Sequence, residues 1–437
     1  MKRKLKPGQL LVASYGTVGL VGTLLLMLPW ASTPEGPSTF LQAWFTAISA
    51  LTVTGLTVVT TSTHWTLFGQ TVILVLMQIG GLGLMVLTTL FLVILGLRVQ
   101  LGHRVLIAQD RNHFNFTGIL SLVRSVVFLT LAIEGVGAVL MALLMPGIWN
   151  DGFLRGLFFV VFHTVSAFNG AGFDLTGQSL EPFRYSPGLN LVFIVLILLG
   201  SLGYVVLQEL LVQRQWQRPS LHSRLVLWVT GLITLFGSAF YFMTEYNQSM
   251  AALPLENKVV ESLFQAVTRT AGFTTVPITN WSEPFLFLMI LMMFVGASPG
   301  SVGGGIKTTT VGTIVLAVWA IARGKKEVVI WEREIASESV TKAFTVTVVA
   351  LILVSVSTLL LMTVEKLPLM PVLFEVVSAM ATVGLSMGVT QQLSPFGQVI
   401  IILLMFVGRI GVLSLVIFLA KQEYRRLRYM KEDILIG

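Results

Sequence analysis

Apolar residues run in long blocks separated by short polar connections, at roughly 10–28, 70–97, 118–145, 188–212, 225–243, 284–322, 343–363 and 396–420. Each block holds the ~20 residues needed to cross a hydrocarbon layer about 30 Å thick, so the pattern predicts eight membrane-crossing helices. The first is expected to remain in the mature chain, because MKRKLK leads into an apolar stretch ending at Leu28–Pro29–Trp30 with no small-residue cleavage pattern. The sixth block has 39 residues and as one helix would reach roughly 58 Å, nearly twice the bilayer core. It must therefore break, and Pro299 with Gly300, Gly303, Gly304 and Gly305 marks the place. The expectation is helix 284–297, loop 298–310 and helix 311–322.

The loops after blocks one, three, five and seven each carry an apolar stretch of about 10–14 residues, too short to span, that ends in a glycine. They read AWFTAISALTVTGLT, VVFHTVSAFNGAGFD, SLFQAVTRTAGFT and LFEVVSAMATVGLS, and their alignment puts Gly55, Gly172, Gly272 and Gly384 in register. The separations of 117, 100 and 112 residues give one repeat for every two spans. A second motif echoes in the even-numbered blocks as IGGLG (79–83), LGSLG (199–203), VGASPGSVGGG (295–305) and VGRIG (407–411). A short half-helix followed by non-helical backbone leaves carbonyls without partners, a state tolerated at membrane depth only where it lines water or is buried in protein. Four such elements around one axis would converge carbonyls and helix C-termini on a site for a desolvated cation. The competing interpretation is four outer turns with packing glycines.

Composition narrows the function. Apolar residues make up 55% and charged residues 11% of the 437, with a mean hydropathy of +0.86, whereas a soluble chain carries about 25% charge. There is no cysteine, which removes disulfides, thiol catalysis and thiolate metal sites. The net charge of +8 could indicate nucleic acid, but the positions of the basic residues say otherwise. The N-terminus, 98–124, 209–224, 322–342 and 420–437 together hold 21 of the 28 Lys and Arg against 9 of the 20 Asp and Glu, while the opposite loops hold 5 and 10. That bias places both termini in the cytoplasm and leaves no basic domain for nucleic acid. The acidic excess on the other side either concentrates cations at a mouth or is simply what the bias leaves.

Taken together, the four half-helices and ASPGSVGGGIKTTT resemble the membrane subunits of the Trk/Ktr/HKT superfamily of potassium-translocating proteins, over essentially the whole chain. With its first span beginning near residue 10, the sequence is most similar to the Ktr-type subunit. The resemblance implies an all-α integral membrane protein with eight transmembrane helices and four re-entrant pore loops, arranged as four fused helix–pore-loop–helix repeats around a pseudo-fourfold central pore. The repeats are 1–97 (pore loop about 38–60), 98–213 (152–178), 214–322 (255–278) and 323–437 (368–390). It implies a K⁺ filter built from the backbone carbonyls of Thr52, Val53, Thr54 and Gly55, of Asn169, Gly170, Ala171 and Gly172, of Arg269, Thr270, Ala271 and Gly272, and of Ala381, Thr382, Val383 and Gly384. Relatives with serine in the first loop favour sodium, so Gly55 implies potassium. The third loop departs from the pattern, being shorter between Phe264 and Gly272 than the second is between Phe162 and Gly172, with Arg269 three residues before the glycine. The side chain of Arg269 is expected to point away from the axis.

The loop at 298–310, with Pro299, Gly300, Gly303, Gly304, Gly305 and Lys307, looks like the family's intramembrane gate. It fails as a phosphate loop, because Ile306 separates Gly305 from Lys307 and the segment lies inside an apolar block. Arg409, within one residue of the level of Leu82 and Leu202 in the echoed motif, is implied as the positive barrier beside it; an alternative is a structural salt bridge to Glu134, and the two are compatible. Met289, Met292 and Met293 are read as packing, and pairs such as Gly80 and Gly83 as close helix contacts. No nucleophile, acid–base pair or metal cluster is visible in the spans, so an enzyme is not expected. An alternating-access carrier is the rival, since it too uses broken helices, but carriers show two related halves rather than four. No cofactor is expected in this chain; K⁺ is the cargo, Na⁺ a candidate activator. The implied partners are the lipid bilayer, a second copy in a homodimer, and a cytosolic KtrA-type nucleotide-binding regulatory ring, docked through 98–124, 322–342 and the tail KQEYRRLRYMKEDILIG from Lys421.

Overall fold

The computed structural model describes residues 7–412, apart from 35, 84–118, 146, 151, 215 and 218. Within them the chain runs four times through a helix, a short helix, an extended segment and another helix. The first set is α1 (Pro7–Leu26), α2 (Phe40–Leu51) and α3 (Leu67–Leu82), and the second is α4 (Ile119–Leu144), α5 (Phe153–Asn169) and α6 (Pro187–Leu202). The third is α7 (Leu221–Glu245), α8 (Leu255–Val267) and α9 (Glu283–Phe294), extended by α10 (Thr308–Ala322). A hairpin pairing Val329–Ile330 with Arg333–Glu334 leads to the last set, α11 (Ser337–Glu365), α12 (Leu369–Met380) and α13 (Pro395–Ile410).

Local chemistry starts these helices where the sequence changes character. Thr39 and Gln42 form a reciprocal capping box on α2, each side chain meeting the other's main-chain N–H. Ser394 Oγ accepts from Gly397 N at 3.2 Å at the start of α13, and proline occupies the first turn of α6, α9 and α13, where its missing N–H is not needed.

The described parts of the expected apolar blocks are mostly helical, with breaks inside 188–212 and 284–322. Val123–Leu144, Leu221–Glu245 and Ser337–Glu365 are each long and apolar enough to cross a membrane alone. The remainders of the blocks 70–97 and 396–420, most of the 98–124 connection and the tail from Lys421 lie outside the described residues. Leu24, Leu131, Leu143, Leu235 and Leu359 are more than half exposed on the periphery; the interior is a large apolar core in which Ser49, Thr52, Thr54, Ser166, Thr268, Ser378 and Thr382 are also buried. An apolar periphery, with the buried polar groups hydrogen-bonded inside, is what lipid as solvent selects.

Two boundaries differ from expectation. The sixth block leaves the helix at Phe294, not at 297, and re-enters it at Thr308, not at 311. Val295 and Ile306 pair across the base of the loop as a parallel bridge, with Ile306 N donating to Phe294 O at 3.3 Å, and this draws both rims out of the helix. The block 188–212, expected as one crossing, bends by 103° between Leu202 and Tyr204. Gly203 has φ 92° and ψ 144°, a conformation open essentially to glycine alone. Gly83 (81°, 129°) and Gly411 (91°, 135°) end α3 and α13 with nearly the same angles. The last glycine of the echoed motif is thus a repeated helix break.

Candidate functional site

The short helices α2, α5, α8 and α12 end beside one another, and the glycines in register after them all adopt positive φ: 89° at Gly55, 69° at Gly172, 67° at Gly272 and 97° at Gly384. A methyl group built on Gly55 would lie 2.0 Å from the carbonyl oxygen of Ala171, on Gly172 2.9 Å from that of Ala271, on Gly272 2.4 Å from that of Val383, and on Gly384 2.0 Å from that of Thr54. The contacts run from the first repeat to the second, third and fourth and return to the first. The four segments therefore form one closed ring, in which the carbonyl before each glycine abuts the glycine of a neighbouring repeat. A side chain at Gly55, Gly272 or Gly384 would collide with that main chain, while at Gly172 the approach is only slightly too close.

The same ties hold each segment in place. In repeats one, two and four the residue before the glycine donates its N–H to the carbonyl five residues back, from Thr54 to Ser49 at 2.8 Å, Ala171 to Ser166 at 2.7 Å and Val383 to Ser378 at 2.9 Å. Those serines also staple the segment with their hydroxyls: Ser49 Oγ accepts from Gly55 N and donates to Leu56 O, Ser166 Oγ donates to Phe173 O at 2.8 Å, and Ser378 Oγ accepts from Gly384 N at 3.1 Å. The residue two before each of these glycines is left-handed: Val53 (φ 57°), Gly170 (66°) and Thr382 (50°). The third repeat, shorter by two residues, does it differently. Thr268–Thr270 form a single 3₁₀ turn, and Thr268, four before Gly272, donates its hydroxyl to Phe273 O.

Side chains three before the glycine turn away from the ring. Thr52 Oγ1 donates to Ile48 O at 2.7 Å and meets Thr54 Oγ1 at 2.8 Å. Asn169 Nδ2 donates to Gln78 Oε1 at 3.0 Å, Glu134 Oε1 at 3.1 Å and Val165 O at 2.9 Å, and Gln78 Nε2 donates to the other Glu134 oxygen at 3.0 Å. Arg269 reaches the end of α9, donating to Val295 O and Gly296 O. Its side chain does point away, as expected. Thr270 Oγ1 donates to Val267 O at 3.2 Å, and Ala271 and Ala381 are buried.

The glycine-rich segment packs directly against this ring. Gly304 N donates to Thr382 Oγ1 at 2.8 Å, and a methyl on Gly305 would meet Ala381 Cβ at 3.1 Å. On its other side Ser298 N donates to Ser201 O at 3.0 Å, Val302 N to Gly200 O at 3.3 Å and Tyr204 N to Gly300 O at 3.2 Å, while the Pro299 carbonyl lies against Gly203. Lys307 Nζ donates to Gly303 O at 2.6 Å. Arg409 donates one guanidinium nitrogen to Val302 O and the other to Gly80 O, joining the loop to the end of α3. The alternative of a salt bridge to Glu134 is corrected: the Glu134 oxygens are held by the amides of Asn169 and Gln78. Close glycine contact in the echoed motif is real. Methyl groups on Gly80, Gly200 and Gly408 would lie 2.1, 1.9 and 2.0 Å from the carbonyls of Leu51, Phe168 and Met380, each four residues before a ring glycine. In the third repeat Gly296 meets instead the carbonyl of Gly304 in the loop, at 2.0 Å.

One set of residues went unread in the sequence. Within the apolar half-helices a polar side chain recurs as Thr46, His163, Gln265 and Glu375, and three of them tie the helix to the segment beyond the glycine. His163 Nε2 accepts from Leu175 N at 3.3 Å, Gln265 Nε2 donates to Thr275 Oγ1 at 2.9 Å, and Glu375 accepts from Ser386 Oγ at 2.6 Å and from Thr390 Oγ1. The signal was a polar position in register across four apolar stretches.

Residues 6–426 match the family described as TrkH, cation transport protein. The chain is 38% identical to the Ktr system potassium uptake protein B of Bacillus subtilis over 435 residues, covering 99% of this chain and 97% of that protein. It is 34% identical to the potassium/sodium uptake protein NtpJ of Enterococcus hirae, covering 100% and 98%. In fold it is similar to the crystal structure of the potassium transporter TrkH from Vibrio parahaemolyticus, with a TM-score of 0.75, 19% identity and coverage of 97% of this chain and 87% of that one.

Proposed function

The chain belongs to the TrkH family of cation transport proteins, and from that premise we propose that it is the ion-conducting membrane subunit of a potassium uptake system. The observation that carries this reading is the closed ring of Gly55, Gly172, Gly272 and Gly384 with the carbonyls of Thr54, Ala171, Ala271 and Val383 at its joints. Backbone oxygens gathered in this way replace the hydration shell of a monovalent cation. The C-termini of α2, α5, α8 and α12 add the negative ends of four helix dipoles near the same place. Eight spans and four re-entrant pore loops, in the repeats 1–97, 98–213, 214–322 and 323–437, are the arrangement in which such a ring lies at membrane depth. A cyclic set of four supports a pore over a carrier built from two halves.

In this reading the loop from Val295 to Lys307 is the gate. It fills the space beside Ala381 and Thr382, and Arg409 fastens it to Gly80 while setting a positive charge on the cation path. Both termini are cytoplasmic, the unit is a homodimer, and a separate nucleotide-binding ring moves the gate; Na⁺ is an activator of uptake. Truncation after Ala420, with co-purification of the ring and dimerisation as readouts, tests the docking role of the tail.

The direct test is growth of a potassium-uptake-deficient cell at limiting K⁺. The wild-type chain, with its regulatory partner, restores growth. Deleting Gly303 to Gly305, or Arg409→Ala, raises K⁺ flux per inserted protein. Normal flux in both well-inserted variants would leave the loop a helix break and nothing more.

A further inference from the structure

Arg269 is the one charged side chain contributed by the segments that form the ring, and it is 2% exposed. Its three hydrogen bonds all go to main-chain carbonyls at the end of α9: Val295 O, Gly296 O at 3.3 Å and Met292 O at 3.5 Å. The last carbonyls of a helix have no partner within it, and a cation there meets the negative end of the dipole. α9 is the helix whose continuation is the gate. Val295 is bridged to Ile306, and Gly296 lies against Gly304, whose N–H is bonded to Thr382 of the fourth ring segment. A continuous path thus leads from Ala271 and Gly272, two and three residues after Arg269, through the guanidinium to both rims of the loop and on to the fourth segment. At the corresponding position Thr52 bonds within its own turn and Asn169 bonds to Gln78 and Glu134. In the fourth repeat Ala381 only packs against Gly305, so it is in the repeat that carries the loop that this side chain hydrogen-bonds to the loop's rim.

We infer that Arg269 is a positioning residue that couples the loop to the third ring segment, so that displacing the loop alters ion preference as well as flux. The inference rests on the pore-and-gate reading above. A helix cap that served folding alone would lower the amount of protein without tying its effect to the loop. Coupling predicts that the two perturbations do not combine independently.

The experiment is a double-mutant cycle in the full-length chain reconstituted in liposomes, with K⁺ and Na⁺ flux each divided by the amount of inserted protein. Arg269→Met removes all donors; Arg269→Lys keeps the charge and a shorter donor, and the cycle is run with both. Expected are a flux increase and a lowered K⁺/Na⁺ ratio for Arg269→Met, partial recovery of the ratio with Arg269→Lys, and a combined effect with deletion of Gly303 to Gly305 about tenfold below the product of the single effects. Flux changes that multiply, or a K⁺/Na⁺ ratio untouched by both substitutions, overturn the coupling while the gate stands. A loop deletion that by itself leaves flux at the wild-type level removes the gate and the coupling with it.

Discussion

Replacing the ring glycines one at a time by alanine gives a graded result, because the four joints differ in how much room they leave. All four have positive φ, so each alanine carries a left-handed strain of about 1–2 kcal/mol. The difference lies in the neighbouring backbone. A Cβ essentially never comes within 3.0 Å of another heavy atom, and at Gly55 and Gly384 the carbonyl oxygen stands at 2.0 Å, at Gly272 at 2.4 Å and at Gly172 at 2.9 Å. The obstacle in every case is main chain, which cannot rotate aside as a side chain would. The carbonyls of Ala171 and Thr54 must therefore move by about 1 Å for Gly55→Ala and Gly384→Ala, while that of Ala271 hardly moves for Gly172→Ala. A change of about tenfold in K⁺ over Na⁺ preference corresponds to roughly 1.4 kcal/mol of differential binding, well within what an ångström shift of a coordinating oxygen produces. The first two variants should lose at least that much, Gly272→Ala less, and Gly172→Ala little beyond a loss of stability. K⁺ and Na⁺ uptake into liposomes, per inserted protein, ranks them. If Gly172→Ala proved as damaging to preference as Gly384→Ala, or if Gly55→Ala left preference unchanged, the ring would not be the place where the ion is stripped of water.

Two further outcomes follow from individual contacts. Because Arg409 and Glu134 have separate partners, Arg409→Ala and Glu134→Gln should add in their effects on thermal stability in detergent, whereas an ion pair would make them strongly non-additive; Asn169→Asp, which sets a second carboxylate against Glu134, should lower the melting temperature more than Asn169→Ala. His64, at the end of the helical turn Thr61–His64 before α3, is bonded through Nε2 to Ser38 Oγ at 2.8 Å, and burial holds its pKa below the usual value. As pH falls below about 6.5 the unfolded chain takes up a proton that the folded chain resists, so stability should decline with acidification; His64→Gln should flatten that decline between pH 7 and 5, and an unchanged profile would show that the ring is freely protonated in the fold.

The hydropathy blocks, the fourfold spacing of Gly55, Gly172, Gly272 and Gly384, and the failure of 284–322 as one helix were legible in the residues, because span length, repeat period and helix breaking are local properties of a chain meeting lipid. Local reading stopped at the helix boundaries. Nothing near Phe294 in sequence announces that Val295 will pair with Ile306, and a lone Gly203 inside an apolar run is compatible with a straight helix until a loop from another repeat packs against it. It stopped equally at the polar side chains. Asn169, Arg269 and Arg409 lie in corresponding or echoed motifs, yet one binds a carboxylate on α4, one the end of α9 and one the main chain of two other repeats. The sequence determined which backbone could leave the helix; tertiary structure decided where each freed carbonyl and each buried charge found its partner. Hydrogen-bonded partners in different repeats are separated by up to 329 residues, and only closure of all four repeats around one centre brings them together.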